Sequence, residues 1–261
     1  MIEISIYFDL ETLPTDCPVT IAEIAADITA PARMTKAETI AAWEANERPA
    51  AILEAVSKTA LDGGTGRLAS VAFAIGDGPI ECALALDDDG TPSREAEIWL
   101  IESFFAACEA LKSEFKTPPI MVGHNVLAFD LRWLWKRSIV LGIEPPWWWP
   151  HNARQWDEDR VQDTMTMWEG PKGRISQDTL ARRLSIRGKS GFDGSMVAAA
   201  WQAGEYDRIA EYNRDDVRCV REIHRMITGH RPAKPQKAPK PVVEAPPVDA
   251  AEGEQESMVC F

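Results

Sequence analysis

An α/β fold, built on a mixed β-sheet flanked by α-helices, is predicted for this chain of 261 residues. Three observations predict it. The chain opens with Ile2, Ile4 and Ile6 alternating with polar residues before Tyr7 and Phe8, which is strand periodicity. Two apolar runs, RLASVAFAI and IECALAL, are joined by GDGP and read as a β-hairpin. After them, helical and strand patterns alternate and end in further helices, as expected when helices pack on the faces of a sheet.

Each element follows in order. Pro14 and Pro18 close the first strand. Residues from about 36 to 60 are rich in Ala and Glu and read as one or two helices, inserted between the first strand and the next. Gly63, Gly64 and Gly66 mark a turn before the hairpin. DDDGTPS is a loop; Asp87, Asp88, Asp89 and Gly90 lack the alternate spacing of a calcium loop and read as a turn. Ser93 is an N-cap for a helix with Ile98, Ile101, Phe105, Cys108 and Leu111 as its apolar stripe. PIMVGHN is a short buried strand, AFDLRWLWKRSIVLGI a helix ending near Gly142, and EPPWWWPHNARQW an irregular loop. RVQDTM is the last strand, followed by helical stretches near 176–186, 193–203 and 206–228. From 229 the chain is rich in Pro, Lys, Ala and Glu and almost free of large apolar side chains. Such a segment buries too little surface to offset its ordering entropy, so disorder is expected. The predicted organisation is one domain over 1–228 and a tail over 229–261.

Composition narrows the classes of function. The chain is 45% apolar, enough for a real core. Its net charge of −13 lacks the basic footprint of most nucleic-acid binders, although bound metal ions can supply positive charge locally. Five cysteines without a CxxC pair read as reduced thiols, which predicts a cytoplasmic protein. MIEISIYFDLE is not a signal peptide, and no apolar run is long enough to span a bilayer.

Three segments carry candidate chemistry. In Asp9-Leu10-Glu11, at the end of the first strand, both carboxylates point to one side, where they repel unless a cation lies between them. Gly123-His124-Asn125 follows a buried strand, and Phe129-Asp130 opens a helix whose first turn favours an anion. Tyr212 and Asp216 are four apart on the last helix, on a stripe of Ile209, Val220, Ile223 and Ile227. A carboxylate on an apolar stripe is costly to bury without a partner. Asp215 is one residue off that line and should face solvent.

The set resembles the DEDD (DnaQ-like, ribonuclease H-like) 3′–5′ exonuclease superfamily, whose pattern is DxE, then Nx3[FY]D, then Yx3D or Hx4D. Here these are Asp9 and Glu11, Asn125 to Asp130, and Tyr212 to Asp216. Glu211, not His, stands five residues before Asp216, so the chain resembles the tyrosine-bearing branch. FDLETLP, GHNVLAFDLRWLWKRSIVLGI and GEYDRIAEYNRDDVRCV are most similar to predicted exonucleases related to the proofreading domain of family B DNA polymerases.

The resemblance implies a ribonuclease H-like sheet and hydrolysis of 3′-terminal phosphodiester bonds with two Mg²⁺ or Mn²⁺ ions. It implies that Asp9, Glu11 and Asp216 hold one ion, and that Asp9, with water-mediated help from Asp130, holds the other. Tyr212 would orient the attacking water, being a poor general base at neutral pH. Leu10, Thr12, Asn125 and Phe129 would line the terminal nucleotide. Single-stranded DNA is the expected substrate; an exoribonuclease or a non-catalytic 3′-end-binding module are the alternatives.

Other features have two readings each. Asn125 is either a turn residue or a contact to the nucleotide. His124 reads as a hydrogen-bonded strand-end histidine rather than a ligand. Trp147, Trp148 and Trp149 either cap a hydrophobic edge or stack on unpaired bases. Lys172, Arg174, Arg182, Arg183, Arg187 and Lys189 are either a solvated face or a phosphate track. Asp163 reads as a strand-end cap ahead of a site residue. Met258, Val259, Cys260 and Phe261 form an apolar tip that could dock on a protein partner.

Overall fold

The computed structural model describes residues 4–187 and 191–229. The expected tail, its apolar tip and Lys189 lie outside the described residues. The strands are β1 (Ser5–Leu13), β2 (Arg67–Ile75), β3 (Glu81–Leu84), β4 (Ile120–Gly123) and β5 (Val161–Asp163). The helices are α1 (Pro18–Asp27), α2 (Ala37–Asn46), α3 (Arg48–Lys58), α4 (Arg94–Phe115), α5 (Asp130–Leu141), α6 (Thr164–Glu169), α7 (Gln177–Arg183), α8 (Val197–Gln202) and α9 (Tyr206–Ile227). The sheet order is β3-β2-β1-β4-β5. The hairpin arm β3-β2-β1 is antiparallel, whereas β1, β4 and β5 are parallel. This is the mixed sheet with helices on its faces that the ribonuclease H-like fold implies.

The central strand β1 divides its side chains between the two faces. Ile6, Phe8 and Leu10 enter the larger core with Ile101, Phe104 and Phe105 of α4 and Leu131 and Leu134 of α5. Tyr7 faces the other way, in a smaller core with Ala72, Val122 and Val217 and Val220 of α9. Asp9 and Glu11 continue the Tyr7 side, beneath α9.

β1 runs two residues past the acids and ends at Leu13, just before Pro14, as expected; Leu10 and Leu13 keep burying apolar surface, and pairing continues to Arg67, with one residue of β2 skipped after Glu11. Two elements differ from the sequence expectation. Pro18 starts a helix rather than only closing a strand, because proline suits a first helical turn, where its missing N–H is not needed. Helix α6 arises because Asp163 caps it, accepting from the Met165 amide at 3.0 Å. The inserted helices α2 and α3 join α1 in one group; Arg48 of α3 donates to the carbonyls of Ile28 and Ala25 at the end of α1.

The long helices follow their signals. Ser93 caps α4, accepting from the Ala96 amide at 2.9 Å, and Gly142 ends α5 with φ of 78°. The α4 stripe is wider than the periodicity read: Leu100 and Phe104 are also buried, and Ile98 is only partly so. A buried ion pair links α4 to α5. Arg137 donates to both carboxylate oxygens of Glu97 at 2.8 and 2.7 Å, and Glu97 also accepts the Leu68 amide of β2 at 2.6 Å. Gly63 is dictated by contact: a Cβ there would lie 2.0 Å from the Trp133 carbonyl oxygen of α5.

Candidate active site

The face of β1 that carries Asp9 and Glu11 is roofed by α9, which brings Tyr212, Asn213 and Asp216 over it. One carboxylate oxygen from each of Asp9, Glu11 and Asp216 lies within 4.8 Å of the other two. This is the one such acidic group among the described residues. Glu11 and Asp216 are buried, and Asp9 is partly so. Three converging carboxylates offer only hard oxygen donors, the set suited to Mg²⁺ or Mn²⁺ rather than to softer metals.

Asp130 stands beside this trio rather than within it. It is the first residue of α5, 4% exposed, and its Oδ1 accepts the backbone N–H of Leu10 at 3.3 Å. Burial pushes its carboxyl up to about 7; Asp163 and Asp216 push the same way, against backbone hydrogen bonds that favour the ionised form. Leu10 itself faces the core, so its contribution to the site is this amide; Thr12 and Phe129 are half-buried.

The loop that delivers Asp130 is built by Asp163. Its carboxylate is 2% exposed and accepts the amides of Asn125 at 2.9 Å and Leu127 at 3.1 Å while capping α6. Asp163 therefore holds the second motif from the adjacent strand, as a cap and not as a member of the acidic trio. Asn125 has φ of 64°, a left-handed conformation that asparagine tolerates, and its carbonyl accepts the Phe129 amide at 3.0 Å, closing the turn. Its side-chain oxygen faces out and accepts from Arg174 at 3.4 Å. His124 is structural: one ring nitrogen lies 2.9 Å from the Thr164 hydroxyl and the other 2.8 Å from the Ile175 carbonyl.

Tyr212 is 8% exposed and packs edge-on against Phe192, with ring centroids 4.9 Å apart. Burial, and then the nearby carboxylates of Asp216, Glu11 and Asp9, drive its hydroxyl far above the usual phenol range. It is a neutral donor, hydrogen-bonded to Asp216. Asp215, by contrast, turns outward and pairs with Arg218 at 3.1 Å.

Residues 69–219 match the model of a family described as a predicted 3′-5′ exonuclease related to the exonuclease domain of PolB. The chain belongs to this family. The matched span includes Asn125, Asp130, Tyr212 and Asp216 of this PolB-related exonuclease and stops short of β1, so Asp9 and Glu11 join the set through the fold. Among solved structures, the family B DNA polymerase from the hyperthermophilic archaeon Pyrobaculum calidifontis is similar at 14% identity over 84% of this chain, with a TM-score of 0.47. The chain spans 24% of that polymerase. No curated protein matches.

Two side chains at the exonuclease's acidic cluster escaped the sequence reading. Asn213, fully buried, donates from Nδ2 to Asp9 Oδ2 at 2.8 Å. Gln177 of α7 donates to Asp216. Asn213 had a signal: Ala210, Asn213, Val217, Val220 and His224 form a second line at helical spacing, and all are buried. Gln177 had none.

The tryptophans divide. Trp148 and Trp149 are buried in the larger core, where Trp149 donates to the Leu131 carbonyl at 2.9 Å and Trp148 bonds Glu109, whereas Trp147 is 84% exposed. The basic stretch is partly paired within itself and its neighbours: Arg183 meets Glu169 at 3.4 Å, and Arg182 meets the Thr179 hydroxyl at 3.1 Å. Asp87 to Gly90 forms a turn closed by the Gly90 amide on the Asp87 carbonyl at 2.8 Å.

Proposed function

We propose that this PolB-related exonuclease hydrolyses the 3′-terminal phosphodiester of single-stranded DNA with two Mg²⁺ or Mn²⁺ ions, releasing nucleoside monophosphates one at a time. The observation that carries the reading is the convergence of Asp9, Glu11 and Asp216 within 4.8 Å beneath a tyrosine bonded to one of them. Asp9, Glu11 and Asp216 would hold one ion; Asp9, assisted by Asp130, would hold the second. Bound there, the ions would supply charge for the attacking and leaving oxygens of an in-line displacement.

The chain's own residues do the rest. A phenol held neutral near pH 7 cannot act as a base, so Tyr212 orients a water through its hydroxyl while Asp216 fixes the ring. The backbone of Leu10, Thr12, the outward amide of Asn125 and the half-buried Phe129 line the approach of the terminal nucleotide. Arg174, already on Asn125, is a ready contact for a phosphate. Among the described residues no helix is long and apolar enough to cross a membrane, and a cytoplasmic setting fits the cysteine pattern.

The test uses purified protein and 5′-labelled single-stranded DNA, duplex DNA and RNA, each with Mg²⁺, Mn²⁺ or EDTA. A ladder shortening from the 3′ end of single-stranded DNA, abolished by EDTA, is the expected result. Equal or faster shortening of RNA would reassign the substrate, and tight 3′-end binding without hydrolysis would replace the enzyme by a binding module.

A further inference from the structure

Asn213 is a fully buried polar side chain on α9, one residue beyond Tyr212, at a position that the third motif leaves unspecified. Its amide ties α9 to three strands of the sheet. Nδ2 donates to Asp9 Oδ2 of β1 at 2.8 Å; Oδ1 accepts the Ser70 hydroxyl of β2 at 3.0 Å and lies 3.8 Å from the Cys82 thiol of β3. An amide's two ends are distinguished by their partners, and here those partners agree. A carboxylate only accepts, so the nitrogen must face Asp9. The Cys82 thiol is pushed up to about 11 by burial and stays protonated, so with Ser70 it presents donors to the amide oxygen. A flip would set oxygen against oxygen at Asp9 and leave both donors facing an NH₂ group.

We infer that Asn213 is a positioning residue that locks one oxygen of Asp9 through a side-chain relay from Ser70 and Cys82, and so sets the affinity of the acidic cluster for a divalent cation. The inference rests on the metal reading above. Asp9 is half-buried, and a donor on one of its oxygens fixes the direction of the other. The chemical type of the donor matters too. A lysine or arginine at this place would neutralise the cluster from within and compete with a cation. An amide supplies a hydrogen bond with no net charge, leaving the cluster's negative charge intact for the metal.

The experiment measures Mn²⁺ binding to the full chain by calorimetry, with metal-free thermal unfolding in parallel, for wild type, Asn213→Leu, Ser70→Ala, Asp9→Ala and the Asp9→Ala/Asn213→Leu double variant. Leucine keeps the branched outline of asparagine, though it is bulkier, and removes the donor. Asn213→Leu should weaken Mn²⁺ binding about 10- to 100-fold, the usual range for a partner that orients a ligand. Ser70→Ala should weaken it by about 3- to 10-fold, since the nitrogen end of the amide survives. Because Asn213 acts through Asp9, the double variant should bind no worse than Asp9→Ala alone. Binding by Asn213→Leu within about twofold of wild type, or a further loss in the double variant, would overturn the inference. If Asn213→Leu does not fold, Ser70→Ala decides: undiminished Mn²⁺ affinity there refutes the relay. Should Asp9→Ala itself bind Mn²⁺ as wild type does, the metal reading of the cluster fails, separately from the role of Asn213.

Discussion

Gln177 and Asp216 are joined twice: Nε2 of Gln177 lies 3.1 Å from Asp216 Oδ1 and 3.1 Å from the Asp216 backbone carbonyl. Helix α7 thus reaches α9 at the residue that closes the acidic trio. Gln177→Leu should leave the fold intact and lower the exonuclease rate by about 10- to 100-fold, with a weaker Mg²⁺ dependence of the same order. Initial rates across a Mg²⁺ titration check this, and a variant with wild-type rates at every concentration would make the contact purely structural.

Asp216 and its neighbour Asp215 should behave oppositely. Asp216 is 3% exposed within the trio, whereas Asp215 is bonded to Arg218 at the surface. Asp216→Asn should reduce the rate by orders of magnitude, and Asp215→Asn by less than about tenfold, or 1.4 kcal/mol in barrier. Steady-state assays at saturating Mg²⁺ measure both; the reverse order would remove Asp216 from the site.

Asp130 predicts a pH dependence of stability in metal-free protein. Its carboxyl is raised, chiefly by burial, from 3.8 in the unfolded chain to about 7 in the fold, so between those values the folded state holds a proton that the unfolded chain releases. The corresponding stability is fully present below the lower value and is lost as pH rises through the upper one. In EDTA, wild type should therefore lose stability across this window relative to Asp130→Asn, which has no proton to lose. Denaturant unfolding of both at several pH values is the check, and parallel curves would contradict the burial argument.

The Glu97–Arg137 pair is expected to serve the fold and not the chemistry. It joins α4, α5 and β2, with its two side chains 3% and 10% exposed. Arg137→Met would strand the Glu97 charge in the core and destabilise by roughly 3–5 kcal/mol, lowering the unfolding temperature on the order of 10 °C. Activity measured well below that temperature should be near normal. The double variant Glu97→Gln/Arg137→Met should recover part of the loss; a single variant as stable as wild type would show the pair to be dispensable.

What was legible in the sequence was local. Asp9 and Glu11 share a face because strand side chains alternate, and Tyr212, Asp216, Val220 and Ile223 share one because the helix repeats every 3.6 residues. Ser93, Gly142 and the turn at Asp87 to Gly90 likewise act on backbone a few residues away. Such signals need no knowledge of what packs opposite, so the three motifs and most elements could be read directly.

Tertiary structure decided the partners. Asn213 meets Asp9 across 204 positions of sequence and Ser70 across 143, and Gln177 meets Asp216 only because α7 packs on α9. Trp147 and Trp149 are chemically identical two residues apart, yet one is in solvent and the other in the core, according to what α4 and α5 cover. Asp163 looks like any strand-end acid until β5 lies parallel to β4 and sets its carboxylate under the Asn125 loop. The physical reason is the range of the constraint. Helix and strand periodicity are imposed by neighbouring residues along the chain, whereas a buried amide or carboxylate is satisfied by whichever donor or acceptor the strand order brings within hydrogen-bonding distance.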